Sequence, residues 1–92
     1  PASALSADEI KALKKKAETA INRGDNKAAV EAATEALKAD DTDALTYLYL
    51  GSAYMSTGKM KEAKQAFNDC ADKAQKSPHY GECIQMGGKK SK

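Results

Sequence analysis

From Ser6 onward, apolar residues return every three to four positions, the period of an amphipathic helix rather than a strand. Ile10, Leu13, Ala17, Ala20 and Ile21 make the first stripe. Ahead of it, Ser6-Ala7-Asp8-Glu9 has the form of a capping box, in which Ser6 accepts from the Glu9 amide and Glu9 reaches back. Arg23-Gly24-Asp25-Asn26 predicts a stop, with Gly24 as a left-handed cap and Asp25 as the next N-cap. A second stripe runs through Ala29, Val30, Ala33, Ala36 and Leu37, with Glu31 and Glu35 outside. Asp40-Asp41-Thr42-Asp43 closes it and caps a third helix, whose inward residues are expected to be Leu45, Tyr47, Leu50, Gly51 and Tyr54. Beyond the break at Thr57-Gly58-Lys59, a fourth helix turns Ala63, Ala66, Phe67, Cys70 and Ala74 inward. Ser77-Pro78 reads as the N-cap and first-turn proline of a short fifth helix through about Met86, which Gly87-Gly88 ends. Lys89-Lys90-Ser91-Lys92 reads as a solvated basic tail. Five helices joined by short turns predict an all-α fold of antiparallel helical hairpins. Residues 1–5 form an N-terminal extension, 6–86 the domain and 87–92 the tail.

The hairpins repeat. Gly24 and Gly58 lie 34 residues apart, and the same offset joins Leu13 to Tyr47, Ala17 to Gly51, Ala20 to Tyr54, Ala29 to Ala63, Ala33 to Phe67 and Ala36 to Cys70. A helix-turn-helix unit of this period resembles the tetratricopeptide repeat. In the second unit Tyr47-x-x-Leu50-Gly51-x-x-Tyr54, then Ala63 and Phe67, is similar to that family's W-x-x-L-G-x-x-Y…A-x-x-x-F pattern, with Tyr for Trp. Gly51 and Ala63 are small so that the helices of a repeat can approach; Tyr47, Tyr54 and Phe67 fill the space around them. The first unit departs more: Ala20 and Ala33 stand where bulky residues are usual, Lys16 replaces Leu, and Asp41 and Gln75 occupy the usual proline places. The resemblance spans about 10–86. It implies an α-solenoid of two repeats, about 10–43 and 44–77, with 78–86 as the terminal capping helix such arrays need.

Composition narrows the classes of function. The 92 residues make one small domain, and 5% aromatic content is too little bulk for a β-sandwich or barrel core. Charged residues are 30% and well mixed, with a net charge of +2, which favours neither a nucleic-acid module nor disorder. No apolar run approaches the ~20 residues of a membrane span.

Chemistry is sparse. There is one histidine, no glycine-rich phosphate loop and no nucleophile beside a positioned base, so no enzyme is expected and no cofactor is implied. Asp40-Asp41 is explained by helix capping, and Lys14-Lys15-Lys16 by a solvated helical face. His79 with Cys70 and Cys83 is the sole metal-like grouping, and three ligands fall short of the four that structural zinc requires.

Cys70 and Cys83 stand equally far from the turn at Lys76-Ser77, and positions so placed on an antiparallel hairpin lie side by side. A disulfide between them is expected to staple the short last helix; two buried free thiols are the alternative. A disulfide, an even cysteine count and a start at Pro-Ala-Ser without Met suit a processed chain in a periplasm or outside a cell, the cytoplasm being the alternative.

In such a solenoid the first helix of each repeat lines the concave side. The helical angle places Leu45, Leu48, Tyr49, Ser52, Met55 and Ser56 of the third helix there, a notably apolar set for an exposed face. The first helix adds Lys11, Lys14, Lys15, Glu18 and Asn22, and the fifth adds His79, Glu82 and Met86. A groove that is apolar in the middle and basic at one end suits a protein or peptide segment, with Leu48, Tyr49 and Met55 holding apolar side chains and Lys11 and Lys14 steering an acidic flank. Ala2–Leu5 or the glycine-rich tail folding across the groove is the self-covering alternative. Lys14 is compatible with the family's carboxylate clamp, but Glu18 and Tyr49 stand where its amides belong, so chaperone-tail binding is not implied. A second class of function stays open. Two repeats leave thinly covered ends, and stacking them end to end would make a homo-oligomer or filament.

Overall fold

The computed structural model describes residues 5–91. It holds α1 (Ala7–Arg23), α2 (Asn26–Ala39), α3 (Ala44–Ser56), α4 (Met60–Lys73) and α5 (Tyr80–Gln85), and no strand among the described residues. Local chemistry accounts for most boundaries. Ser6 Oγ accepts from the Glu9 amide at 3.1 Å while the Ser6 amide donates to Glu9 Oε1 at 2.9 Å, closing the capping box of α1. Gly24, at φ 77°, takes the left-handed turn that a side chain would resist, and Gly58 repeats it at φ 76° between α3 and α4. Asp25 caps α2 through the Ala28 amide, and Asp43 caps α3 through the Leu45 amide.

Successive helices pack as antiparallel hairpins, α1 on α2 and α3 on α4, with α3 also against α2, α1 and α5. The core is built from small residues. Ala17, Ala20, Ala29, Ala32, Ala33 and Ala36 are buried in the first hairpin; Tyr47, Ala63, Ala66, Phe67 and Cys70 are buried in the second. A methyl at Gly51 would run into the Phe67 ring, so the ring sits where a hydrogen leaves room.

Three expectations need correcting. Ser77 is not the N-cap of the fifth helix. Its Oγ accepts from the Ala44 amide at 3.0 Å, completing the N-terminus of α3 from 33 residues along the chain, and α5 begins only at Tyr80. The inward face of α3 also differs. Tyr47 and Gly51 are buried, but Leu45, Leu50 and Tyr54 are half-buried, while Ala44, Thr46 and Ala53 are fully enclosed. A helix with neighbours on several sides has no single inward stripe. Thr46 tolerates burial because its hydroxyl donates to Asp43 Oδ2 at 3.1 Å. The third correction concerns the tail. Lys89 and Lys90 expose their side chains, but the backbone of 88–91 is tied to α4.

Candidate functional site

An open cleft of about 610 Å³ lies between α1 and α3. Helical spacing on α1 aligns Asp8, Lys11, Ala12, Lys15 and Glu18 along one wall; α3 contributes Leu45 and Tyr49 from the other side. Lys14 and Asp43 complete the lining as an ion pair. The floor is therefore apolar and the rim ionic.

The ionic groups are mostly matched. Lys14 Nζ lies 3.0 Å from Asp40 Oδ2 and 3.1 Å from Asp43 Oδ2, tying α1 to the loop between α2 and α3. Burial works against the Lys14 charge, yet hydrogen bonds and attraction from these two carboxylates outweigh it and raise the pKa. Asp40 is pulled down to about 2, first by hydrogen bonds from Thr42 and then by Lys14, against the cost of burial. Lys15 pairs with Glu18 at 3.4 Å on the exposed surface. Lys11 has no ion pair among the described residues, which leaves it as the cation of the rim without a matched partner. Tyr49 is pushed up to about 12 by burial, then by the Glu18 carboxylate beside its hydroxyl.

Of the groove residues expected from the sequence, Lys11, Lys14, Lys15, Glu18, Leu45 and Tyr49 meet here. Leu48, Ser52 and Met55 do not line the cleft. Leu48 packs on the cluster of Ala44, Tyr47, Cys70, Ala74 and Cys83, whereas Tyr49 packs on Ala17, Ala32 and Ala33. Adjacent residues on a helix point about 100° apart, and here two different neighbours claim them. Part of the apolar belt of α3 is thus packing between repeats. Lys14, expected to steer a ligand, is engaged by Asp40 and Asp43. Asn22 and Ser56 are exposed outside the cleft; so is Met86, while His79 bonds Glu82 at 2.8 Å. Asp8, Ala12 and Asp43 join the lining without having been expected there, although Asp8 and Ala12 share the helical spacing of Lys11 and Lys15. Of Ala2–Leu5, only Leu5 is among the described residues, so a cover formed by that segment falls outside them.

A second cleft of about 540 Å³ lies among turn residues such as Thr42, Gln75, Lys76 and Pro78. Its lining is drawn from turn residues and the end of α4 rather than from the facing first helices of the two hairpins.

Cys70 and Cys83 are joined by a disulfide spanning 13 residues, with their Cα atoms 6.2 Å apart. The sulfurs are therefore spent on each other, and the described residues hold no cluster of three or more His, Cys, Asp or Glu suited to a metal ion. No helix among them is long and apolar enough to cross a membrane.

Two stacked hairpins, a ring seated over a glycine and a fifth helix on the open end form one architecture. A family model described as tetratricopeptide repeat matches residues 20–82. The chain belongs to the tetratricopeptide repeat family. No curated protein and no solved structure gives a significant match to it. Tetratricopeptide repeats are generally protein–protein interaction modules and are typically non-catalytic. The match begins at Ala20, so it takes in the second half of the first hairpin, all of the second and the first half of α5.

Proposed function

We propose that this chain is an interaction module that seats a peptide or protein segment in the cleft between α1 and α3. The observation that carries the reading is the open 610 Å³ cleft whose floor presents Leu45 and Tyr49. Apolar side chains of a partner would leave water against that floor, and the Lys11 ammonium would favour a nearby carboxylate. Because Lys14 and Lys15 already have counter-charges, the electrostatic contribution is modest, and hydrophobic contact dominates.

The disulfide supports a periplasmic or extracellular setting, where such bonds persist. End-to-end stacking into an oligomer has weaker support, since α5 and residues 88–91 occupy the side of α4 where the next repeat would lie.

The test uses peptides selected against the chain from a display library. Ala12→Glu places a carboxylate in the cleft at an exposed helical site, so the fold should survive. Affinity should drop at least tenfold in Ala12→Glu and in Leu45→Glu, with helical content unchanged. Binding that survives both substitutions would move the site elsewhere. Light scattering across a hundredfold concentration range separates the readings further: a constant mass of 9.8 kDa fits the module, and a mass that climbs fits assembly.

A further inference from the structure

α5 is six residues long, too short to persist alone in water, and among its side chains only Cys83 is buried. Ile84 and its C-cap Met86 are each 43% exposed. It rests on α3 and α4, and beside the disulfide its side chains add two polar contacts with those helices: Tyr80 Oη donates to the Ala71 carbonyl at 3.3 Å, and Cys83 Sγ lies 3.8 Å from the Ala44 carbonyl oxygen. After α5 the chain turns back through Gly87, at φ 96°, onto α4. The Gly88 amide donates to the Cys83 carbonyl at 2.9 Å, and Gly88 itself is buried. A methyl there would run into the carbonyl oxygens of Phe67 and Cys83, so glycine is required for this approach. The Lys89 amide then donates to Asn68 Oδ1 at 2.8 Å. Ser91 engages both oxygens of Asp72, through its amide and its hydroxyl, at 2.6 Å each. Residues 88–91 thus form a strap along α4 from Phe67 to Asp72. Beside it, both cysteines are fully buried.

We propose that the Cys70–Cys83 bond and the 88–91 strap form a two-part redox latch on α4, in which each part protects the other. The bond keeps α5 on α4, and α5 delivers Gly88 to its seat. The seated strap in turn holds the end of α5 against α4, so an external thiolate reaches neither sulfur until the strap loosens. The reductant is a dithiol. Its thiolate attacks one cysteine sulfur, the S–S bond breaks, and the other cysteine leaves as a thiolate that takes up a proton. The second thiol of the reductant then displaces the first cysteine from the mixed disulfide. Cys70 and Cys83 end as thiols and the reductant as a disulfide, with two electrons and two protons transferred. Once the 13-residue loop is open, α5 and the strap lose a constraint that favours their closure by roughly a hundredfold in the chain-entropy picture. They leave α4, uncover Ala44, Tyr47 and Ala74, and release the basic tail. The coupling is reciprocal, as linkage demands.

Two measurements on the full chain test the latch. Hydrogen exchange is followed at the Lys89 and Ser91 amides, oxidised and after dithiothreitol. Reduction should speed exchange there at least tenfold and leave α1 and α2 unchanged. Separately, the rate at which dithiothreitol reduces the bond is read by thiol alkylation in the native chain, Gly88→Ala and Asp72→Ala. Both variants should be reduced several-fold faster; Asp72 lies on the surface of α4, so its replacement leaves the core intact should Gly88→Ala perturb folding. Unchanged exchange at Lys89 and Ser91 after reduction would overturn the proposal. So would native reduction rates in both variants.

Discussion

Hairpin α1–α2 closes on methyl groups, with Ala17, Ala20, Ala29 and Ala33 all buried, whereas hairpin α3–α4 closes on a ring, Phe67 seated over Gly51. The residues correspond across the 34-residue offset: Ala17 stands where Gly51 does, and Ala33 where Phe67 does. In the second hairpin, one residue gives up its side chain so that its partner can fill the space. In the first, two alanines share that space and let the backbones approach. The trade has a consequence for packing between hairpins. Tyr49 and Leu50 of α3 pack on Ala17, Ala32 and Ala33, so the first hairpin borrows bulk that the second supplies for itself. The candidate cleft lies at that same junction of α1 and α3.

The contrast is broken most severely at Phe67. Phe67→Ala should cost about 3–5 kcal/mol in urea unfolding, because the cavity over Gly51 has nothing to fill it. Ala33→Gly, its counterpart, should cost only about 1 kcal/mol, mainly from helix propensity. Gly51→Ala should cost about 1–3 kcal/mol through collision with the buried ring. Equal losses at Phe67 and Ala33 would contradict the two modes of packing. A smaller effect belongs to the cap that joins repeat to last turn: Ser77→Ala should cost about 1 kcal/mol by leaving the Ala44 amide without its acceptor.

The smallest effects are electrostatic. Asp40 has a depressed pKa in the folded chain, about 2, so its contribution is present above the unfolded value of about 4 and is lost as pH falls toward 2. The side chain is 35% exposed and solvent screens the pair, which leaves about 1 kcal/mol. Acid unfolding of Asp40→Asn should lack that segment of the pH profile. In alkali, Tyr49 should ionise near 12 rather than near 10, and Tyr47 higher still because burial and nearby carboxylates disfavour its phenolate. Absorbance titration of Tyr49→Phe should lose the step near 12. Folding stability contributed by Tyr49 should fall as pH rises from 10 to 12, since only the unfolded chain ionises freely there.

Features set by near neighbours were legible in the sequence. The Ser6–Glu9 capping box, the Gly24 and Gly58 turns and the Asp25 cap each depend on residues within a turn or so. Ser77 was misread because its partner, Ala44, lies 33 residues away. The strap was hidden by composition, since Lys89-Lys90-Ser91-Lys92 looks like a tail while the deciding feature is the space denied to a methyl at Gly88. The cleft was half legible. Helical spacing brings Lys11, Glu18, Leu45 and Tyr49 to faces that line the cleft, but it does not tell that a neighbouring cluster already claims Leu48. Nor does it reveal that Asp40 and Asp43 hold Lys14.

The most direct test of the interaction reading is an amide chemical-shift map of the oxidised chain, titrated with a display-selected peptide. Shifts confined to Lys11, Ala12, Lys15, Glu18, Leu45 and Tyr49 are the predicted result. Shifts gathered on α2, α4 or the 88–91 strap, with the α1–α3 cleft silent, would contradict it.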